Sequence, residues 1–246
     1  MMASEYKCWV VDAFTPTNTR GNPAAVVVIP GSNWPSDEWM QRCAMEFNLS
    51  ETAFVLLNGQ PGDGGCDGPY GLRWMTPTVE VNLCGHATLA SSYVLAYELG
   101  LKPPEGVFTF TTLFSGTLYA RASPSVNDGA GTGAGIRMDL PIGTLEPSSD
   151  DDTRRAMVEG WRGALFPTNS DSAAVRVEYE GVTSLGDSFI VLDSVAALRS
   201  LDPDLDAVKR FGGRGVIVTA RAEADVSDAN VDFESRFFAP CMVRAA

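Results

Sequence analysis

The sequence predicts an α+β protein built from barrel-like sheets around a central helix. Most of the chain reads as short strands separated by turn residues, with few helices among them, which is the pattern of barrel-like sheets. One helix-forming stretch, Ala87 to Tyr97, carries no charged residue, and Ala87, Leu89, Ala90, Val94, Leu95 and Ala96 surround it instead of forming one stripe. A helix apolar on most sides is a buried helix. A proline-, serine- and aspartate-rich stretch, Pro141 to Asp152, reads as a linker and divides the chain into domains 1–140 and 141–246.

Cys8 to Phe14 is rich in β-branched and aromatic residues and reads as the first strand; Ala24 to Ile29 is the second. Ser36 reads as a helix N-cap, with Asp37 and Glu38 where the helix dipole favours acids, and Trp39, Met40, Cys43 and Phe47 follow at helical spacing. That helix ends near Asn48, and Glu51 to Leu57 returns as a strand. Asn58 to Tyr70 is glycine-rich and reads as a mobile hairpin loop. A strand from Leu72 turns at Thr76-Pro77 and leads to the apolar helix, 85–100, which Gly100 and Pro103-Pro104 stop. Strands follow at Val107–Thr112, Thr117–Ala122 and Ile136–Leu140, with a low-complexity excursion at 123–135. In the second half a helix is expected over 152–164, strands at 175–179, 188–192, 216–219 and 231–238, and a short helix over 194–201.

A formal net charge of −13 over 246 residues excludes nucleic-acid and anionic-membrane partners, because both need clustered Lys and Arg. The five cysteines are odd in number and form no CxxC, so neither a disulfide framework nor a zinc pattern is present, and reduced cytoplasmic thiols fit best. One histidine and scattered cysteines give no metal site. The N-terminus has no apolar h-region, and no apolar run is long enough to span a membrane.

Val11-Asp-Ala-Phe14, Gly21-Asn-Pro-Ala-Ala-Val26, Asn48-Leu-Ser-Glu-Thr-Ala-Phe54, Leu72-Arg-Trp-Met-Thr-Pro77, Leu83-Cys-Gly-His-Ala-Thr-Leu-Ala90 and Ser235-Arg-Phe-Phe-Ala-Pro240 occur in this order. Together they resemble the phenazine-biosynthesis-like (PhzF) family, which has the diaminopimelate epimerase fold. The resemblance implies two pseudo-symmetric domains, each wrapped around a central helix, with the active site in a cleft. It implies a cofactor-independent isomerase that shifts a proton on a small carboxylate-bearing substrate. By the same resemblance Glu51 is the general acid/base, and His86 lines the pocket and holds or polarises the substrate. Backbone N–H groups of Gly85 and Ala87, at a helix N-terminus that favours anions, cradle the carboxylate; Asn22 borders the site. Related epimerases and racemases use a cysteine where Cys84 stands, so Cys84 is either one of two opposed bases or a small buried residue. Asp187-Ser188 pairs a carboxylate and a hydroxyl but reads as a strand-entry turn.

The family's second motif, an Asp-Pro followed by Thr-Gly-Ser-Ala, opens the second central helix; no Asp-Pro-x-Thr-Gly-Ser run occurs in this sequence. The second domain is therefore expected to be truncated and to lack its central helix, leaving an apolar sheet face uncovered, a liability for association. Two further readings follow. One is a non-catalytic interaction protein that self-associates, as a homodimer in the simplest case, or binds a relative; the other is a cysteine-based epimerase or racemase using Cys84.

Overall fold

The computed structural model describes residues 5–15, 21–59, 68–123, 135–139, 143–147, 151–167, 175–211, 213, 215–222 and 231–240. Residues 60–67 of the expected glycine-rich loop 58–70 and residues 124–134 of the expected excursion 123–135 lie outside these residues. The chain divides into two compact units, Met1–Pro141 and Ile142–Ala246.

In the first unit, β1 (Lys7–Ala13) runs antiparallel to β2 (Asn22–Ile29). Helix α1 (Asp37–Phe47) carries the chain over to β3 (Glu51–Leu56), which lies parallel to β2, a pairing that requires such a crossover. Strand β4 (Tyr70–Met75) is antiparallel to β3 and holds the two-residue β5 (Glu80–Val81). Helix α2 (Gly85–Tyr93) then crosses to β6 (Val107–Thr111), parallel to β4, and β7 (Thr117–Ser123) and β8 (Gly135–Asp139) complete an antiparallel edge. The path β1-β2-β3-β4-β6-β7-β8 is one sheet, yet α2 packs against β1, β2 and β3 as well as β7 and β8. The two ends of the sheet therefore both reach the same helix: the sheet curls around α2.

The two helices take opposite faces of that sheet. Val27, Ile29, Phe54, Leu56 and Met75 pack with Met40 and Ala44 of α1. Alternation along the strands turns Ala24, Val26, Ala53 and Val55, all fully buried, to the α2 side. Burying a large apolar side chain contributes about 1.5–3 kcal/mol, so both sides of this sheet drive its folding. Arg73 on β4 fastens α1 in place. Its Nε and Nη2 donate to the two Glu80 oxygens at 2.7 and 2.6 Å, and Nη1 donates to Asp37 Oδ1 at 2.7 Å. Trp34 lies 5.7 Å from its guanidinium.

The three buried hydroxyls of α2 are each satisfied by a backbone carbonyl of the helix or its N-cap. Thr88, Ser91 and Ser92 donate to the carbonyls of Cys84, Ala87 and Thr88 at 2.6, 2.7 and 2.8 Å. The single helix expected over 85–100 is in fact two segments: the α-helix ends at Tyr93 and a π-helical turn, Val94–Glu98, follows. The Leu99 N–H reaches back to the Val94 carbonyl, one residue further than in an α-helix, before Gly100 turns off at φ +64°.

In the second unit, β9 (Leu145–Pro147), α3 (Asp151–Leu165), β10 (Val177–Thr183), β11 (Ser188–Leu192), α4 (Val195–Arg199), α5 (Leu205–Arg210), β12 (Val216–Arg221) and β13 (Phe233–Phe238) follow in order. The sheet order is β13-β12-β11-β10-β9. The stretch 141–152 is not all linker, because Leu145, Glu146 and Pro147 pair antiparallel with β10. Strand β10 runs on past the expected Tyr179 through Gly181, where a side chain would meet the Glu146 carbonyl oxygen at 2.6 Å. Helix α5 went unread; Asp204 caps it by accepting from the N–H groups of Asp206 and Ala207. Asp187-Ser188 is the expected turn, closed by the Thr183 N–H to the Asp187 carbonyl at 2.8 Å.

Trp161, Leu165, Val195, Leu198 and Val208 from α3, α4 and α5 cover the face carrying Ile190, Leu192, Val216, Val218 and Ala220. The other face carries the cross-strand row Phe189, Ile217 and Phe237. Phe237 is 53% exposed, and Phe233 on the same edge strand is 63% exposed.

Candidate active site

Asn48 ends α1 in the left-handed region, φ 50°, and Leu49-Ser50 leads straight into β3. Glu51 is thus the first residue of a strand, paired with Ala24 of β2. Strand alternation puts it on the face that carries Ala53 and Val55, towards α2. His86 is the second residue of α2, and Cys84 is its N-cap, held in extended backbone geometry with no side-chain cap bond. Two segments distant in sequence, the start of β3 and the start of α2, are so brought to one point.

Glu51 Oε2 lies 3.4 Å from His86 Nε2. Ser50 Oγ also lies 3.4 Å from Nε2 and donates its own proton to Asn22 Oδ1 at 3.4 Å. At the other ring nitrogen, Cys84 Sγ is 3.2 Å from Nδ1, and the thiol also meets the Glu51 carboxylate. His86 and Cys84 are buried, while the Glu51 side chain keeps partial access to solvent. Gly85 and Ala87 supply the flanking backbone. The first helical bond runs from the Thr88 N–H to the Cys84 carbonyl, and no acidic residue stands in the first turn. The N–H groups of residues 85–87 therefore precede the hydrogen-bond ladder.

Burial pushes His86 below the usual histidine range, more than the Glu51 carboxylate and the Pro23 carbonyl draw it up. Burial pushes the Cys84 thiol well above its ordinary value; the Glu51 carboxylate adds to this, and the N–H groups of Ala87 and His86 oppose it. At neutral pH the site thus holds a neutral imidazole and a protonated thiol. Glu51, Cys84 and His86 are, among the described residues, a group whose ligand atoms lie within 4.8 Å of one another.

The structure brings Glu51, His86 and Cys84 together, flanks them with Gly85 and Ala87, and links Asn22 through Ser50. Ser50 and the Pro23 carbonyl were missed as site groups. Ser50 could have been found, since it stands beside Glu51 in Asn48-Leu-Ser-Glu51; the carbonyl left no sequence signal.

The fold is α+β, with a sheet curled around a central helix, and a carboxylate, an imidazole and a thiol meet at the mouth of that helix. More particularly, residues 11–243 match the phenazine biosynthesis-like protein family, PhzC-PhzF, and the chain belongs to it. An uncharacterized isomerase of Pseudomonas aeruginosa is 37% identical over 236 residues, covering 96% of this chain and 74% of the relative. The human phenazine biosynthesis-like domain-containing protein is 33% identical over 94% of this chain and 75% of its own length. The crystal structure of a PhzF-family protein of Enterococcus faecalis superposes with a TM-score of 0.63 at 31% identity, over 96% of this chain and 74% of that one. A Bacillus anthracis PhzF-family protein has the same fold, with a TM-score of 0.67 at 20% identity over 96% of this chain and 73% of that one. Among the described residues, no helix is long and apolar enough to cross a membrane.

Proposed function

We propose that the chain is a cofactor-independent isomerase that shifts a proton on a small carboxylate-bearing substrate. Glu51 removes a proton from an activated carbon, the electron pair moves along the conjugated skeleton, and the Glu51 carboxyl, which exchanges with solvent, returns a proton at another carbon. Atoms and charge balance without an oxidant or reductant. His86 and the α2 N-terminus hold the substrate carboxylate, with the N–H groups of Gly85 and Ala87 as donors, and Asn22 borders the pocket. The observation that carries this reading is the partly accessible Glu51 carboxylate 3.4 Å from the buried imidazole, at the mouth of an uncharged helix. The isomerase name borne by a relative at 37% identity supports the reaction class.

Screening small unsaturated carboxylates in deuterated water, with mass spectrometry for label uptake, finds the substrate. Glu51→Gln is then expected to lower turnover by at least about 10²-fold, the usual contribution of a positioned acid/base, while leaving binding intact. Near-normal turnover, or lost binding, would remove Glu51 from the proton-transfer role.

A second reading, an interaction protein, is favoured by the exposed Phe233 and Phe237 on the β13 edge. Exposed apolar strand edges invite pairing. Light scattering coupled to size exclusion decides it: association lost in Phe237→Ser supports it, and a monomer that turns over substrate opposes it.

A further inference from the structure

We propose that Cys84 is a positioning residue, whose thiol donates a hydrogen bond to Nδ1 of His86 and so keeps Nε2–H aimed at the Glu51 carboxylate. The proposal rests on the reading of Glu51 as the proton carrier, and concerns how its neighbour is held.

The groups around the ring fix the direction of each bond. Glu51 Oε2 at 3.4 Å from Nε2 is an acceptor when ionised. Ser50 gives its proton to Asn22 Oδ1, so its oxygen presents lone pairs to Nε2. With the Glu51 carboxylate and the Ser50 oxygen beside it, Nε2 carries the proton of the neutral ring. Nδ1 is then a lone pair inside a buried helix end, where an unpaired acceptor is costly. The Cys84 sulfur at 3.2 Å is the partner that the structure shows there. Burial and the nearby Glu51 carboxylate hold Cys84 protonated, which makes it a donor and not a base, with Nδ1 and that carboxylate the acceptors in its reach. A Cys-x-His sequence starting a helix lets the extended Cys84 and the first helical turn place sulfur and ring side by side.

Among the described residues, the titratable groups that face the imidazole are Glu51 from β3 and Cys84 from the helix entry. Strand alternation puts Cys8, Asp12, Tyr119, Arg121, Arg137 and Asp139 on the opposite faces of β1, β7 and β8, and Lys7 lies at the exposed far end of β1. A thiol donating to Nδ1 opposes protonation there, so removing it raises the histidine's titration midpoint.

His86 is the chain's only histidine, so its two ring nitrogens give a clean ¹⁵N spectrum of the intact 246-residue protein, with no substrate needed. The wild type is expected to show the Nε2–H tautomer, with Nδ1 shifted from the position of a free pyridine-type nitrogen. In Cys84→Ala, Nδ1 moves to that free position, the titration midpoint rises, and kcat falls by up to about tenfold, the worth of one lost hydrogen bond. Cys84→Ser leaves similar space but restores a donor, so it keeps the wild-type Nδ1 signal and midpoint. Identical ¹⁵N spectra and titrations for the Ala and Ser variants would reduce Cys84 to packing and overturn the proposal. So would an Nδ1–H tautomer in the wild type, which would make sulfur the acceptor. Because these readouts need no turnover, failure of the Glu51 assignment is seen separately, in the Glu51→Gln assay.

Discussion

Helices α1 and α2 lie on opposite faces of one sheet and begin in opposite ways. Helix α1 is closed at its start: Ser36 Oγ accepts from the Trp39 N–H at 3.2 Å, and Asp37 and Glu38 answer the dipole. Its outer face meets water and carries charge. Helix α2 has no capping side chain, no acid in its first turn and a buried circumference. Both starts have the same orphan N–H groups. One set is answered by a hydroxyl and two carboxylates, and the other meets the neutral Cys84 thiol beside Glu51 and His86. Stability features therefore gather at α1, and the features that suit a ligand gather at α2.

This contrast can be broken at either helix. Glu51→Gln, at the α2 end, has the largest expected effect: turnover falls by about 10²–10⁴-fold, with a melting curve close to the wild type. Arg73→Ala, at the α1 end, should do the reverse. Breaking a buried pair costs about 3–5 kcal/mol, but Asp37 is largely exposed and Glu80 partly so. We therefore expect a loss of about 2–3 kcal/mol in urea unfolding, below that range because solvent screens the partners. Catalysis per folded molecule should hold.

Ser36→Ala removes the α1 cap and should cost about 1 kcal/mol. Its effect on substrate turnover should be nil; a turnover defect would mean that the two ends are coupled. The pH dependence sharpens the comparison at α2. His86 is held below its unfolded value, so the folded state binds fewer protons as pH falls. Its contribution is present above the unfolded pKa of about 6.5 and is lost as pH drops through that value towards the folded one. Urea unfolding between pH 7.5 and 5 should show this loss, and His86→Gln should flatten it.

The same contrast explains what was legible in the sequence. The α1 boundaries were readable because Ser36, Asp37, Glu38 and Asn48 act locally. The burial of α2 was readable from its missing charges, but its π-helical end was not, since Tyr93 to Glu98 carries no breaker. Strand β9 was hidden because Leu145-Glu-Pro147 has no strand pattern of its own and exists only through pairing with β10. Glu51, His86 and Cys84 were legible through motifs, and each motif lies on one short segment. Ser50 as a bridge, and the Pro23 carbonyl as an acceptor, arise only when β2 and β3 pair in parallel and bring residues 22–24 beside 50–51. No local pattern records that event.

The most direct test of the contrast is a titration of the ¹⁵N-labelled protein with sodium benzoate, followed by the backbone amides at both helix starts. The account predicts saturable shifts at Gly85, His86 and Ala87, with the His86 ring moving in step, and none at Asp37, Glu38 and Trp39. Equal shifts at both helix starts, or a silent α2 start, would contradict it.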